Sequence, residues 1–539
     1  MSEVSSWIRQ HAVRTPDAHA LIDTATGATV TYAELWARVR AVAHGLQERH
    51  SVSHGDRVAI LSRNDVRVIE VLYACALLGA IAVPLNWRLA PTELVDIVKD
   101  AEPTALLAED WAADLARRVA PQPTDVRYEG LNEEPPHNAA QHDSPSPASP
   151  TLVLWSSERS STDDYEQLAS AKPPADWVHP TVDEDDVWTI IYTSGTTGRP
   201  KGVQATHRAV LASMLGILVA HHISATSRSL TVLPTFHVAG LNLFTNPTLY
   251  AGGTVLVARS FEPQEALHLL RDADPAVTHF CGVPANYQFI EQLTEFEERP
   301  LRPFVAVVGG SPVPASLLRS WRQRGVPLSA VFGITEAGAC VTAVPANNEA
   351  TVAGLVGLPV LTARCRIRDT EGNDVAVGQV GELQVGGPVL TTGYWRNQKD
   401  TGAAFTDDGW LRTGDAAAMR DDGQVILVDR WKDMYISGGE NVYPAEVENV
   451  LNAHPDVAQV AVVGTPDPRW GEVGLAYVMR AGEAVCAADQ LIEWCAGRLA
   501  RFKVPAQIVF VDDLPRNATG KTLKGELRER ATADRTAPL

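Results

Sequence analysis

Cysteine is scarce in this chain: it accounts for six of 539 residues, and no two cysteines form a Cys-x-x-Cys pair. This spacing argues against a zinc site and against a disulfide framework, and it is typical of reduced thiols. The first ten residues, MSEVSSWIRQ, also lack the apolar core of a signal peptide. We therefore expect a cytoplasmic protein.

Long apolar runs and blocks of basic residues are missing as well. The longest apolar stretch, 71–85, is too short to span a membrane and contains Pro84, so we interpret it as a buried helix followed by a strand. The net charge is −19 and no Lys/Arg cluster offsets it locally, which argues against nucleic acid as a partner. An anion such as ATP remains compatible, since its site needs only a few local donors. No internal repeat is present, and nothing here indicates an oligomeric state.

The chain is longer than one hydrophobic core normally covers, so we expect two or more domains. Strand-like runs alternate with helical patterns up to about residue 120 and again beyond 185, which predicts parallel sheets covered by helices. Pro, Ser, Ala and acidic residues dominate 133–186, which we interpret as a surface connection with one short strand at 152–155. The clearest strand-like runs are 57–61, 187–192, 254–257, 304–308 and 328–332.

The pattern changes towards the C-terminus. The stretch 363–389 is rich in strand-forming residues and glycine, which predicts a small antiparallel β unit. The last hundred residues predict a compact α+β domain. Its helices are expected at 445–451 and 488–499, and its strands at 457–463, 474–479 and 507–510.

The strongest functional signal is the segment YTSGTTGRPKGV at 192–203. Glycines let backbone N–H groups approach a phosphate, hydroxyls add donors, and Lys201 adds positive charge. This is not a Walker A loop, because no GxxxxG precedes a Lys-Ser/Thr pair. The later Gly520-Lys521-Thr522 fails as well, because Pro515 stands where the first glycine would be.

Further segments follow in a fixed order: LPTFHVAG (233–240), VGGSP (308–312), FGITE (332–336), WLRTGD (410–415), DRWKDMYISGGENVYPAE (429–446) and PRNATGK (515–521). Together with 192–203 they resemble the signatures of the adenylate-forming superfamily. That superfamily includes acyl-CoA synthetases, peptide-synthetase adenylation domains and firefly luciferase. The resemblance covers nearly the whole chain and is greatest to the acyl-CoA synthetase branch.

This resemblance implies a large N-terminal α/β domain over 1–429 and a mobile α+β lid over 430–539, with a hinge at Lys432. It also implies ATP, Mg²⁺ and coenzyme A as cofactors. A substrate carboxylate would attack the α-phosphorus of ATP, pyrophosphate would leave, and a thiol would then take the acyl group. Asp429 stands where the family more often has glycine.

The resemblance also assigns roles to individual residues. Lys521, Thr335, Glu336 and His237 would be catalytic, with Lys521 bridging the two reacting anions. Glu336 would hold Mg²⁺, with Thr196 as a further candidate ligand, because Mg²⁺ prefers oxygen donors. Gly438 and Gly439 would line the coenzyme A tunnel. The residues that the resemblance assigns to nucleotide binding are Thr193, Ser194, Gly195, Thr196, Thr197, Gly198, Lys201, Gly310, Ser311, Pro312, Phe332, Gly333, Asp415 and Arg430.

Amino-acid-activating relatives usually place an Asp in the segment that here reads FHVAG, and no Arg or Lys is present there either. We therefore expect a largely apolar acid that is aryl, medium-chain or polycyclic. The acceptor can be coenzyme A or a carrier-protein thiol. A catalytically silent nucleotide-binding regulator is a third hypothesis. The acyl pocket is assigned to His237, Val238, Ala239, Gly240, Ala285, Ile334 and Gly338.

Overall fold

The computed structural model describes residues 4–120, 150–156, 163–193, 200–345, 352, 354–431, 433–482, 484–516 and 522–536, and for 532–536 the backbone alone. Several predicted site residues lie outside these ranges. They are Ser194, Gly195, Thr196, Thr197, Gly198, Lys432 and Lys521.

The described chain alternates strands and helices, numbered here in chain order. The strands are β1 (His19–Asp23), β2 (Thr29–Thr31), β3 (Arg57–Leu61), β4 (Ile81–Pro84), β5 (Ala105–Glu109), β6 (Thr151–Trp155), β7 (Val187–Thr193), β8 (Lys201–Thr206), β9 (Arg228–Thr231), β10 (Thr254–Val257), β11 (His279–Gly282), β12 (Val305–Val308), β13 (Leu328–Phe332), β14 (Thr342–Ala343), β15 (Leu355–Pro359), β16 (Arg364–Arg368), β17 (Val380–Gly386), β18 (Leu411–Met419), β19 (Val425–Arg430), β20 (Tyr435–Ser437), β21 (Glu440–Val442), β22 (Val457–Asp467), β23 (Gly471–Arg480) and β24 (Gln507–Phe510).

The helices are α1 (Ser5–Arg14), α2 (Tyr32–His50), α3 (Val66–Leu78), α4 (Pro91–Ala101), α5 (Ala113–Val119), α6 (Asp164–Ala169), α7 (His207–Ala220), α8 (Val238–Asn242), α9 (Thr245–Ala251), α10 (Pro263–Asp272), α11 (Pro284–Glu291), α12 (Thr294–Glu298), α13 (Ala315–Gln323), α14 (Gln398–Ala404), α15 (Pro444–Asn452), α16 (Ala488–Ala496) and α17 (Lys524–Thr536). Short 3₁₀ helices lie at Asp110–Ala112, Thr335–Ala337 and Arg501–Lys503.

The chain forms two compact units. Unit 1 comprises Met1–Ala18 and Val30–His207, and unit 2 comprises His19–Thr29 and Arg208–Leu539. The division expected from the sequence, at residue 429, is a different one and stays a prediction.

Unit 1 contains a sheet in the order β6-β5-β3-β4-β7-β8, parallel except for the β7–β8 hairpin. Every residue of α3 is buried. Asp65 caps the start of this helix, and Gly79 ends it with a φ of 66°. The interpretation of 71–85 as a buried helix followed by a strand is confirmed, because α3 leads directly into β4.

The interpretation of 133–186 as a surface connection with one short strand misses a helix in its described part. The expected strand is present as β6, but a helix, α6, follows it. Tyr165 of α6 is fully buried and donates to Glu70 at 2.6 Å, and Arg38 bridges Glu70 and Glu166. This buried polar network, formed with α2 and α3, fixes a segment whose local composition is typical of a loop.

Unit 2 contains a long sheet in the order β16-β17-β18-β19-β15-β14-β13-β12-β11-β9-β10-β1. The strands from β13 to β1 are parallel, and those from β14 to β16 are antiparallel. Large buried side chains such as Phe280, Tyr287 and Trp321 pack the parallel part. The expected antiparallel unit at 363–389 is present as β16 and β17, and it continues this sheet.

The C-terminal part of unit 2 has its own sheet, in the order β21-β20-β23-β22, with β24 beside β23. Leu451, Val462, Val478 and Leu491 lie in a core between this sheet and the helices α15 and α16. The predicted fold class is confirmed: parallel-sheet α/β layers, a small β unit and a small C-terminal α+β domain.

Candidate active site

Four neighbouring parallel strands of unit 2 bring the predicted segments to one edge of the sheet. They lie in the order β13-β12-β11-β9. The segments 232–240, 283–286, 309–312 and 333–336 follow the carboxyl ends of β9, β11, β12 and β13 respectively. Parallel strands end at the same edge, so the four segments meet there. This edge is where open α/β sheets bind ligands.

The turn after β13 requires glycine at position 333. A Cβ there would collide with the carbonyl oxygen of Ala339, where the chain folds back with a φ of 96°. The Val341 N–H donates to the Phe332 carbonyl at 2.8 Å and closes the turn. Phe332 itself is only 7% exposed, so most of its side chain packs within the protein. Stacking of adenine on Phe332 stays a prediction.

Glu336 is held by a tyrosine that the sequence analysis did not single out. The Tyr394 hydroxyl donates to Oε1 of Glu336 at 2.9 Å, and the Thr391 N–H donates to the Glu336 carbonyl at 2.8 Å. Burial, followed by the charge of Glu336, raises the pKa of Tyr394 above its ordinary value, so the hydroxyl stays a donor at neutral pH. The only sequence signal was the aromatic pair Tyr394-Trp395 after Gly393, and nothing local pairs it with Glu336.

The donor chemistry at Glu336 fits Mg²⁺. Among the described residues, its second carboxylate oxygen, Oε2, has no hydrogen-bond or ion-pair partner. Mg²⁺ in nucleotide sites takes one or two carboxylates together with phosphate oxygens and waters. One available carboxylate oxygen therefore suits a Mg²⁺ ion that arrives bound to ATP. A site in which the protein supplied all the ligands would need more oxygen donors than this.

Asp415 and Arg430 lie opposite each other on β18 and β19. The Arg430 Nε–H donates to Oδ1 of Asp415 at 3.0 Å, and Asp415 is only 5% exposed. A charge-assisted hydrogen bond of this kind fixes the orientation of a carboxylate as well as balancing its charge. The structure thus brings two predicted nucleotide-binding residues together. A carboxylate in this position can accept hydrogen bonds from ribose hydroxyls.

His237 precedes α8 and caps its first turn. The Ala239 N–H donates to Nδ1 of His237 at 3.2 Å, so in the neutral ring the proton is carried by Nε2. Desolvation lowers the pKa of His237 to about 4. The imidazole is therefore neutral at physiological pH, and it can donate a hydrogen bond from Nε2 to an acyl oxygen. A catalytic role for His237 stays a prediction.

The small residues of the predicted acyl pocket have backbone reasons for being small. A Cβ on Gly240 would collide with the carbonyl oxygen of Pro234, so a larger residue would disrupt the turn after β9 instead of narrowing a pocket. Gly338 has a φ of 79°, and its Cβ would lie 2.6 Å from the Ser213 hydroxyl oxygen. Ala285 is 9% exposed at the start of α11. The pocket assignment stays a prediction.

Thr193 and Lys201, in unit 1, are the described ends of the predicted phosphate-binding loop. They pair across β7 and β8, and the Thr193 hydroxyl donates to the Lys201 carbonyl at 3.5 Å. The pairing places a hydroxyl and a lysine side by side at the two ends of the loop. Their contact with phosphate stays a prediction.

Gly438 and Gly439 form the turn between β20 and β21. Their φ angles of 61° and 89° match the left-handed pair that a two-residue type I′ hairpin needs. A Cβ on Gly438 would lie 2.9 Å from the Trp470 ring, whereas one on Gly439 would meet no described atom within 4 Å. The hairpin alone accounts for both glycines, and a coenzyme A tunnel here stays a prediction. Arg516 and Thr522, which flank the position of Lys521, form an antiparallel bridge.

Comparison with known proteins shows the family of the chain. The model of the AMP-binding enzyme family matches residues 8–395, and that of the AMP-binding enzyme C-terminal domain matches residues 446–521. The chain therefore belongs to the AMP-binding enzyme family.

The similar proteins include acid–CoA ligases. A feruloyl-CoA synthase of Amycolatopsis sp is 37% identical over 98% of this chain and 99% of the relative. An indoleacetate–CoA ligase of Aromatoleum aromaticum is 35% identical over 98% of both chains. The crystal structure of ATP-bound MatB from Rhodopseudomonas palustris has a TM-score of 0.85 and 29% identity, covering 98% of this chain and 99% of that one. The predicted membership of the acyl-CoA synthetase branch is confirmed.

The protein is thus an AMP-forming acid–thiol ligase. It uses ATP and Mg²⁺ to convert a carboxylic acid into its acyl-adenylate with release of pyrophosphate, and it then transfers the acyl group to coenzyme A. Within the described ranges, no helix is both long and apolar enough to cross a lipid bilayer.

Proposed function

We propose that the acid activated by this ligase is an aryl-substituted carboxylic acid without a second charged group. The observation that carries the proposal is the lack of charge among the described acyl-pocket candidates. His237 is neutral, and the others are Val238, Ala239, Gly240, Ala285, Ile334 and Gly338. An ammonium or second carboxylate buried here would lose its hydration, and no charged partner among these residues would compensate for that loss. Ferulate and indoleacetate, the acids in the names of the two relatives, both contain an aromatic ring, which favours aryl over medium-chain or polycyclic acids.

In the first half-reaction, the residues have to hold two anions together and stabilise charge at phosphorus. We assign Lys521 to bridge the substrate carboxylate and the α-phosphate, and Thr335 to donate to the α-phosphate. Asp415, oriented by Arg430, would accept the ribose hydroxyls. Glu336 would hold Mg²⁺, which when bound neutralises phosphate charge. The loop 193–201 would hold the departing pyrophosphate.

A panel of acids tests the proposed substrate class. The panel contains an arylpropenoate, an arylacetate, octanoate, a polycyclic acid, malonate and an aromatic amino acid, each assayed for acid-dependent pyrophosphate release. We expect the two aryl acids to give the highest kcat/KM, on the order of 10²-fold above malonate and the amino acid, because these must bury an unpaired charge. If malonate or the amino acid had the highest kcat/KM, the proposal would be contradicted. If octanoate or the polycyclic acid had the highest kcat/KM, that class would replace the aryl assignment.

The second stage of the same assay tests the acceptor. The preferred adenylate is offered free coenzyme A and, separately, a pantetheinylated carrier protein. Thioester should form with coenzyme A, and a carrier protein that reacts faster would identify a second physiological acceptor. Absence of pyrophosphate release with every acid would contradict the proposed substrate class. A cytoplasmic location stays a prediction.

A further inference from the structure

The loop between β17 and α14 is built so that one tyrosine is fixed in place. The Tyr394 N–H donates to the Thr401 hydroxyl at 2.9 Å, and that hydroxyl donates to the Asn397 carbonyl at 2.8 Å. Asn397 in turn caps α14 by accepting from the Asp400 N–H at 3.0 Å. The backbone of Tyr394 is therefore anchored to the first turn of a capped helix.

The same loop is anchored to Glu336 at two points. The Thr391 N–H donates to the Glu336 carbonyl at 2.8 Å, and the Tyr394 hydroxyl donates to Glu336 Oε1 at 2.9 Å. Thr391 is itself held locally, because its hydroxyl and the backbone of Gly393 exchange two hydrogen bonds of 3.0 Å. Glu336 is thus restrained through both its backbone and its carboxylate by residues about sixty positions later in the chain.

We propose that Tyr394 is the positioning residue for the magnesium ligand: its hydroxyl occupies Oε1 of Glu336, so that Oε2 would be available to the Mg²⁺ that accompanies ATP. This inference rests on the proposed role of Glu336. A carboxylate is free to rotate about its last side-chain torsion, and an ion that needs near-ideal octahedral geometry binds less well to a ligand that must first be ordered. Partners of this kind around metal ligands typically change metal affinity or activity by about 10-fold to 100-fold.

Tyr394→Phe removes the hydroxyl and leaves the ring. Calorimetric titration with ATP should be performed twice, in excess Mg²⁺ and in EDTA, and the ratio of the two Kd values gives the contribution of Mg²⁺ to ATP binding. We expect this ratio to fall by about 10-fold in the variant while the Kd in EDTA stays unchanged. The Mg²⁺ concentration for half-maximal ATP–pyrophosphate exchange should rise by a similar factor, with kcat largely recovered at saturating Mg²⁺.

Tyr165→Phe is the matched control. Tyr165 also donates to a glutamate, Glu70, at 2.6 Å, but this pair is buried in unit 1, among α2, α3 and α6. Losing this hydroxyl should lower the thermal midpoint without changing the contribution of Mg²⁺. If Tyr394→Phe fails to fold, Thr401→Val removes the hydroxyl that anchors the Tyr394 backbone, and a smaller change in the same direction is expected.

Glu336→Gln separates the inference from the assignment on which it rests. If Glu336→Gln removes the Mg²⁺ contribution but Tyr394→Phe and Thr401→Val retain it in full, Tyr394 does not position the ligand and the inference is wrong. If Glu336→Gln also retains the full contribution, Glu336 is not the Mg²⁺ ligand, and the proposed site itself is wrong.

Discussion

At the scale of single residues, Gly333 shows how closely the backbone is packed beside the site. Its missing side chain lets the chain from Phe332 to Glu336 pass against the carbonyl oxygen of Ala339. We predict that Gly333→Ala lowers the free energy of unfolding by about 1–3 kcal/mol, because the clash is with backbone and cannot be relieved by a rotamer change. It should also reduce ATP–pyrophosphate exchange, since Glu336 is displaced together with the turn. Urea unfolding measures the first effect.

Gly402, within α14, provides the control for this prediction. A Cβ at this position would meet no described atom within 4 Å, and the backbone is helical. Gly402→Ala should therefore stabilise the protein by about 0.5–1 kcal/mol through helix propensity. Equal unfolding midpoints for Gly333→Ala and the wild type would show that the turn after β13 tolerates a side chain, contrary to the geometry.

Single residues also show where sequence reasoning stops. Glu336 and Asp415 could be identified because each lies in a short motif. Tyr394 and the Arg430–Asp415 ion pair depend on which loops and strands the fold brings together. Gly240 was interpreted as a pocket residue, but its backbone neighbour Pro234 makes glycine obligatory there. A glycine in the sequence carries no indication of whether a ligand or the chain itself lies beside it.

At the scale of elements, the strands at 57–61, 254–257, 328–332 and 507–510 have the bounds expected from the sequence. These runs are short and rich in Val, Ile, Leu and Phe, as strands are, so their limits can be read from the sequence. The helix α6 is not predicted from the sequence, because its composition is typical of a loop. Tyr165 and Glu166 stabilise this helix through a hydrogen bond and an ion pair to residues about one hundred positions earlier in the chain.

Asp429, at the end of β19, forms a contact across the predicted hinge. Its Oδ2 accepts the Ala445 N–H at 2.8 Å, at the start of α15, and its Oδ1 accepts the Arg430 N–H at 2.7 Å. A carboxylate at a helix N-terminus satisfies an otherwise unpaired donor and interacts favourably with the helix dipole. Asp429 therefore stabilises the observed position of α15 relative to β19.

Arg516, which precedes Lys521 in the chain, is connected to the site edge through two glutamines. Arg516 donates to Gln459 of β22, and Gln459 lies 3.5 Å from Gln288 of α11. Because α11 follows β11 at the site edge, these contacts connect Arg516 to that edge, and we expect the observed arrangement to serve adenylate formation. We expect Asp429 to favour adenylation over thioester formation.

We predict that Asp429→Ala lowers stability by about 1 kcal/mol, as the loss of a helix cap usually does. In addition, acid-dependent ATP–pyrophosphate exchange should fall several-fold relative to thioester formation from a supplied acyl-adenylate. Asp163→Ala removes a comparable cap, since Asp163 accepts from the Glu166 N–H at 2.6 Å in unit 1. Asp163→Ala should lower the stability by a similar amount without changing the ratio of ATP–pyrophosphate exchange to thioester formation. An unchanged ratio in Asp429→Ala, or an equal change in Asp163→Ala, would contradict a role at the hinge.

At the scale of the whole molecule, the two half-reactions need different groups near the same adenylate. Lys521, which lies between Arg516 and Thr522 in the sequence, is about 80 residues away from the glycine turn between β20 and β21. The predicted hinge at Lys432 would allow rotation of the C-terminal domain to exchange one for the other, because hinge residues absorb such changes in φ and ψ. Alternation of the lid stays a prediction for this enzyme.

Substitutions on the two faces should separate the half-reactions. Lys521→Ala should abolish adenylate formation yet still convert a supplied acyl-adenylate to thioester. Gly439→Leu should form adenylate but stall with coenzyme A, and Lys432→Pro should also spare the first step by fixing φ at the hinge. A leucine at a φ of 89° also strains its turn, so Gly372→Leu, at a φ of 87° in an equally open turn outside the lid, is the control. Of these two leucine variants, alternation predicts that only Gly439→Leu loses thioester formation. Equal loss of both half-reactions in folded Lys521→Ala and Gly439→Leu would show that the two faces do not alternate.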